Sequence, residues 1–245
     1  MKSTTLWASC LLSSLGVHAH YIFATLSINH GPYSPDWQYI RKPVNPSWTP
    51  SGDYSYYPMF DVYSTDIRCG RNATTLGGGV QTATVQAGDH LSVGLSSAVS
   101  QVSHGGPGMF YMAKVPEGTK IEEWDADGDW VKIADLGHVE GTRAEWVTDK
   151  KSYKSMNVTI PATMPPGKYL LRIEHLFLRT GIKQTNFFVS CAHLEVKGSG
   201  GGKPGPTVKF PGAYDDFDLA IWAPLHTQGY WLDDYVTPGP SVWKG

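Results

Sequence analysis

The sequence predicts an all-β protein built as an antiparallel β-sandwich with long loops, and two observations carry this prediction. Short runs rich in β-branched and aromatic residues follow one another along the 245-residue chain, which is typical of strands. Turn signals separate these runs, because the chain contains 27 glycines and 17 prolines, which punctuate strands. Many short strands at regular spacing indicate a sandwich.

The strand-like runs extend from the N-terminal region almost to the C-terminus. Turn sequences such as AGD at 87–89 and PPG at 165–167 lie between them. The second turn leads into a run whose side chains alternate between inward and outward directions. In chain order the runs are HYIFATLSIN, TATVQA, HLSVGLSS, GMFYMAKV, SMNVTIPA, GKYLLRIEHLFL, TNFFVSCAHLEV and PTVKFP.

Two longer segments interrupt this pattern. Residues 31–58 contain too much proline and too many aromatics for a strand, and long aromatic loops in compact domains are usually functional. Residues 198–206 are rich in glycine and proline, as linkers are. The stretch that follows is too short and irregular for a separate domain. We therefore expect one domain at 20–245, with a C-terminal stretch that packs back over the sandwich.

The first 19 residues have the features of a secretory signal peptide. A lysine at position 2 precedes an apolar run, and Val17-His18-Ala19 is a small-residue cleavage site. The apolar run is too short to span a bilayer, so we expect a soluble, extracellular protein and no membrane partner. Charged residues make up 17% of the chain and the net charge is −2, which argues against binding nucleic acid.

The cysteines and sequons agree with secretion. Of three cysteines, one lies in the signal peptide, and Cys69 and Cys191 most simply pair in an oxidising compartment. Asn72 and Asn157 each begin an Asn-X-Thr sequon, so both are expected glycosylation sites.

His20 and His104 stand apart from the other histidines. Cleavage of the leader gives His20 a free α-amine as well as its imidazole, and the imidazole of His104 adds a third nitrogen. A T-shaped set of three nitrogens favours copper. For His175, which alternates with Ile173 and Phe177 along one strand face, we expect a structural role.

The chain resembles the fungal lytic polysaccharide monooxygenases of auxiliary activity family nine. The resemblance covers nearly the whole mature chain and is carried by HYIFATLSIN, MFDVYSTDIRCGRNAT, SHGGPGMFYMAKV, PPGKYLLRIEHLFL, NFFVSCAHLEV and YVTPGPSVW. It implies an immunoglobulin-like β-sandwich with a flat substrate face, a Cys69–Cys191 disulfide, and one copper ion in a histidine brace of His20 and His104. It also implies oxidative cleavage of cellulose or hemicellulose by a monomer, with dioxygen or hydrogen peroxide and an external electron donor.

Three positions depart from the family pattern. Phe188, three residues before Cys191, replaces the usual tyrosine, and Asn186 replaces the usual glutamine. Gln184 is an alternative to Asn186 if the loop shifts by two residues, although counting from the cysteine favours Asn186. Arg179 stands where the family usually has a histidine.

These departures predict altered chemistry at an intact copper site. Phe188 leaves an apolar face without a redox-active phenol. Arg179 is a permanent cation that donates hydrogen bonds but does not deliver a proton at neutral pH, unless it only pairs with a nearby carboxylate. We therefore expect an altered rate or substrate. The competing hypothesis is a copper- or glycan-binding protein with little oxygenase activity.

The resemblance also points to a substrate platform of aromatic rings. It matches Tyr235 to the family's surface tyrosine near the copper, and Tyr230 and Trp231 extend the same loop. Sugar rings stack on such planes through their C–H faces.

Overall fold

The computed structural model describes residues 20–43, 56–74, 77–99, 101–102, 104–140, 145–149, 153–222 and 235–245. The predicted signal peptide at 1–19, and with it the predicted cleavage, lies outside the described residues. Tyr230 and Trp231 also lie outside them.

The described chain forms two β-sheets, which confirms the predicted β-sandwich class. The smaller sheet has the order β1-β3-β6 and the larger one the order β2-β8-β7-β4-β5-β9. The strand pairs are antiparallel, except that β2 runs parallel to β8. The strands are β1 (Phe23–Ile28), β2 (Ala83–Gln86), β3 (His90–Leu95), β4 (Gly108–Lys114), β5 (Trp130–Leu136), β6 (Ser155–Thr159), β7 (Gly167–Phe177), β8 (Asn186–Lys197) and β9 (Thr207–Val208).

An apolar core fills the space between the two sheets. Alternate residues of each strand enter it, as the period of two requires; Leu91 and Val93 of β3 are examples, and both are fully buried. From the larger sheet, Ile173 and Leu194 contribute to the same cluster. Burial of these side chains is the main favourable contribution to the sandwich.

A second apolar cluster covers the outer face of the larger sheet. The loops around Val62 and Ile121 and the C-terminal stretch around Phe210 pack against this face. Here the Cys69–Cys191 disulfide joins a loop to β8, with 4.9 Å between the two Cα atoms, so the predicted pairing is confirmed. Among the described residues, none forms a helix that is long and apolar enough to cross a membrane.

Candidate metal centre

The pairing of the two longest strands assembles one end of the inner core. In the β7–β8 register, His175 lies opposite Phe188 and Phe177 lies opposite Asn186. Opposite residues of an antiparallel pair point to the same face. The side chains at these four positions are therefore directed to one end of the space between the sheets.

Phe177 fixes the ring of His104. The two rings are almost parallel, with an interplanar angle of 6° and 4.1 Å between their centroids. The loop that carries His104 approaches β7 closely, because a Cβ atom on Gly106 would lie 1.8 Å from the carbonyl oxygen of Leu176. Glycine at this position therefore lets the loop bring the histidine against the strand.

His20 joins this cluster through its chain neighbour. The centroid of the Tyr21 ring lies 6.2 Å from that of His104, so the residue before Tyr21 is held close to the second histidine. The His20 ring itself stacks on Tyr57, with 4.5 Å between centroids and an interplanar angle of 24°. Both histidines are half-buried, which leaves each partly accessible to solvent.

Phe188 forms an apolar wall beside His104 and Tyr21. Its side chain is 3% exposed and stacks on Tyr21 with 4.1 Å between centroids. Its ring centroid is 6.0 Å from that of His104. The residue that replaces the family's tyrosine thus borders the candidate copper site.

His175 is closer to the site than its sequence pattern indicated. It is fully buried. Its Nδ1 hydrogen-bonds to the Tyr21 hydroxyl, and its Nε2 lies 3.1 Å from Oγ1 of Thr148. The Thr148 hydroxyl donates to the Gly106 carbonyl, so the His175 Nε2–H donates to Thr148 and Nδ1 accepts from Tyr21. The strand alternation that places His175 on the same face as Phe177 was the signal for this position.

Burial keeps His175 uncharged. Desolvation, reinforced by the charge of His104 and opposed by a backbone hydrogen bond at Gly106, lowers the pKa of His175 from 6.5 to about 3. At neutral pH the ring therefore acts as a neutral hydrogen-bonding link that positions Tyr21.

Asn186 is the first residue of β8, and Arg179 lies two residues beyond the end of β7. The guanidinium of Arg179 is exposed and lies 5.2 Å from the centroid of Phe177, a cation–π distance. Within the described parts of the chain it makes no ion pair with a carboxylate. The β7–β8 register runs without a shift from Cys191 to Asn186, and the Gln184 side chain instead lies against Gly181. Counting back from Cys191 matches Asn186, rather than Gln184, to the family's glutamine, and the strand register agrees with this match.

The residues present fit a copper ion held by nitrogen. In the described ranges, no group of three or more His, Cys, Asp and Glu side chains is placed to hold a metal. Two imidazoles therefore need a donor of another kind, which the α-amine of His20 provides in a chain that begins there. The ring neighbours Tyr57, Phe177 and Phe188 are aromatic rather than carboxylate, which suits a nitrogen donor set that favours copper.

Tyr235 is packed more tightly than we expected for a ring of the substrate platform. Its hydroxyl donates to the Ala220 carbonyl at 2.8 Å, and its ring meets Trp146 edge-on with 5.0 Å between centroids. Burial raises its pKa well above 10.0. These contacts anchor Tyr235, which is half-buried, and its role in substrate binding stays a prediction. Tyr57 and Phe60 are 46% and 45% exposed. Tyr57 lies near the end of the aromatic segment 31–58 that the sequence marked as functional, whereas Phe60 lies just beyond it.

Both predicted glycosylation sites are exposed. Asn72 lies in a turn with a φ of 53°, and Asn157 lies on the outward face of β6. Their occupancy stays a prediction.

Comparison with known proteins identifies the family. Auxiliary Activity family 9 (formerly GH61) matches residues 20–235. Lytic polysaccharide monooxygenase C of Emericella nidulans is 37% identical over 251 residues, covering 100% of both chains. Lytic polysaccharide monooxygenase H of Malbranchea cinnamomea is 37% identical over 249 residues, covering 98% of this chain and 99% of its own.

Solved structures agree with these relatives. A cellulose-active polysaccharide monooxygenase from M. thermophila superposes with a TM-score of 0.67 at 25% identity, covering 92% of this chain and 100% of its own. The extended catalytic domain of H. jecorina LPMO9A gives a TM-score of 0.72 at 26% identity and covers 92% of each chain. The similarities favour an enzyme over a protein that only binds copper or glycans. The chain belongs to Auxiliary Activity family 9 and is a copper-dependent lytic polysaccharide monooxygenase, an oxidoreductase that cleaves polysaccharides oxidatively.

Proposed function

We propose that the mature chain begins at His20, is secreted, and oxidises a glycosidic carbon of cellulose or an associated hemicellulose at one copper ion held by His20 and His104. The observation that carries the proposal is the clamping of His104 against Phe177 beside Tyr21, the residue that follows His20. The family match begins at residue 20, and members of the family are generally secreted. Both facts support cleavage at this point.

The chain's own residues hold and shield this centre. Bound copper supplies one-electron chemistry with dioxygen or hydrogen peroxide and an external electron donor. Stacking on Tyr57 and Phe177 restricts the two imidazoles to one orientation each, which pre-organises the donor set. The stacked pair of Tyr21 and Phe188 excludes water from the side that faces the core.

Arg179 and Asn186 set how protons and anions are handled beside the copper. The exposed guanidinium over Phe177 attracts an anion, and the amide of Asn186 is one methylene shorter than glutamine. We expect Arg179→His combined with Asn186→Gln to raise the rate on cellulose, because a titratable imidazole and a longer amide then face the site. The control is Gln184→Asn, since Gln184 lies against Gly181 and should not affect the rate. An unchanged or lower rate would show that the native pair serves another substrate.

The proposed substrate platform consists of exposed aromatic rings, of which Tyr57 lies beside His20. Tyr57 stacks on His20, Phe60 follows it on the same segment, and Tyr63 is 52% exposed. The Tyr63 hydroxyl and the Phe217 backbone N–H both donate hydrogen bonds to the Asp215 carboxylate, which links the two residues. Phe217 is 65% exposed. Spaced rings of this kind offer stacking surfaces to the C–H faces of a glucan chain.

Product analysis tests the function. Mature protein loaded with copper is incubated with a reductant and a panel of cellulose, xyloglucan, xylan and glucomannan, and oxidised oligosaccharides are measured by mass spectrometry. We expect products from at least one polymer and none from His104→Ala. Phe60→Ala and Phe217→Ala should lower the yield from the polymer more than from soluble oligosaccharides. Tight copper binding without oxidised product from any polymer would instead support the binding-only hypothesis.

A further inference from the structure

The outer face of the smaller sheet carries an open groove. Its volume is about 580 Å³, and its lining includes Tyr33, Pro35, Gly94 and Lys154. The groove combines one exposed aromatic ring with hydroxyl, carboxylate and ammonium groups, because Ser34 and Asp36 also contribute to it. Carbohydrate-binding surfaces require this mixture, in which a ring takes the C–H face of a sugar and polar groups take its hydroxyls.

The Tyr33 ring is held against β3 at two points. A Cβ atom on Gly94 would lie 2.8 Å from Cε1 of Tyr33, so the ring rests on the bare backbone of the glycine. Its hydroxyl lies 2.7 Å from Oγ of Ser92, which fixes the far end of the ring. Although anchored twice, the side chain is 49% exposed, so a large part of it can still contact a ligand.

The sequon at Asn157 lies on the same outer face of the smaller sheet as the groove. In the β3–β6 register, Asn157 lies directly opposite Ser92, the residue that Tyr33 contacts. Opposite residues share a face, with Cα atoms about 4.5–5.5 Å apart, and Asn157 is exposed. A sugar attached to Asn157 therefore starts beside the Tyr33 ring and the groove.

We propose that the N-linked glycan of Asn157 packs into this groove, with Tyr33 as the platform for its first sugars. The link is a bond between Asn157 Nδ2 and the anomeric carbon of the first N-acetylglucosamine. It forms when a lipid-diphosphate oligosaccharide donor loses its lipid diphosphate and the amide loses one proton. The glycan then covers an exposed ring on the sheet, and Lys154 and Ser34 are placed to bond its hydroxyls. The docking does not involve the metal centre, so it can hold or fail independently of the oxidative function.

A double-substitution cycle tests the proposal. The full chain is secreted from a host that attaches N-glycans, Asn157 occupancy is measured by peptide mass spectrometry, and melting temperatures are compared for wild type, Tyr33→Ala, Asn157→Gln and the double variant. Tyr33→Ala also removes the Tyr33–Ser92 hydrogen bond. This loss lowers the melting temperature equally with and without the Asn157 glycan, so it cancels when the two effects are subtracted. We expect Tyr33→Ala to lower the melting temperature by about 2–4 °C more in the glycosylated background than in the Asn157→Gln background.

Asn72→Gln is the matched control, because it removes the other sequon. In that background the effect of Tyr33→Ala should equal its effect in the wild type. An unoccupied Asn157, or equal effects of Tyr33→Ala with and without Asn157, would overturn the proposal. Tyr33-dependent binding of soluble oligosaccharides to the Asn157→Gln protein would also overturn it, because it would assign the groove to an external sugar.

Discussion

The two faces of β7 are built from opposite kinds of side chain. On the outer face, Arg172 and Glu174 form a fully buried ion pair with 2.6 Å between Nη2 and Oε1, and Glu174 also accepts a hydrogen bond from Tyr214. On the inner face, the residues at alternate positions are His175 and Phe177, one uncharged and one apolar. The same strand thus carries full charges towards its outer layer and a neutral surface towards the candidate copper site.

Two buried histidines show the same contrast. His193 accepts from Arg41 Nε at 2.9 Å on the outer side, whereas His175 joins two neutral hydroxyls on the inner side. Burial is the main cause that lowers the pKa of each to about 3, with the charge of Arg41 adding to it at His193. The outer layer thus keeps its buried charged groups paired, whereas the candidate copper site would rely on neutral nitrogen donors and stacked rings.

Removing one partner of the buried ion pair should have the largest effect on stability. Glu174→Ala leaves the Arg172 guanidinium buried without its carboxylate, which costs about 3–5 kcal/mol. The unfolding free energy, measured by denaturant titration, should fall by this amount while copper affinity of the folded protein stays unchanged. The matched control is Glu195→Ala, which breaks an exposed pair with Lys197 and should change stability little. If the two variants were equally stable, the outer charges would not carry the role assigned to them.

Breaking the neutral link on the inner face should cost less. His175→Leu leaves the buried hydroxyl of Tyr21 without its acceptor, a loss of about 1–3 kcal/mol. Adding Tyr21→Phe removes the orphaned hydroxyl and should restore most of the stability, since losing both partners is nearly neutral. Additive losses in the double variant would contradict a direct link between these two side chains.

Acid should expose the cost of the buried histidines gradually, over several pH units. The unfolded chain protonates histidine near pH 6.5, but the folded chain does so only near a pKa of about 3. Between these values the unfolded state binds more protons, so the unfolding free energy falls as the pH drops, by up to about 1.4 kcal/mol per pH unit for each histidine. For metal-free protein, denaturant titrations from pH 7 to 4 should show a shallower fall for His193→Gln, which keeps an acceptor for Arg41. An identical slope would exclude His193 as a contributor.

Much of the fold could be predicted because it depends on local patterns. Strand alternation and turn residues predicted the sandwich, and the two cysteines outside the signal peptide predicted the disulfide. The proximity of His175 to His104 depends on the register between β4 and β7, in which Gly108, just after the His104 loop, lies opposite His175. The packing of Tyr235 against Trp146 likewise depends on how a C-terminal stretch returns to the sheet. Strand alternation indicates the face on which His175 lies, but no period or spacing in the sequence indicates either contact.

Copper binding at the new N-terminus tests the central claim most directly. Calorimetric titration would compare the mature chain that begins at His20, the same chain with one alanine ahead of His20, and His104→Ala. The neutral donor set predicts sub-micromolar binding of one copper ion by the first protein. Both variants should bind far more weakly, because each loses nitrogen donors while the charged outer face of β7 is unchanged. Equal affinity of the extended and mature chains would contradict the account.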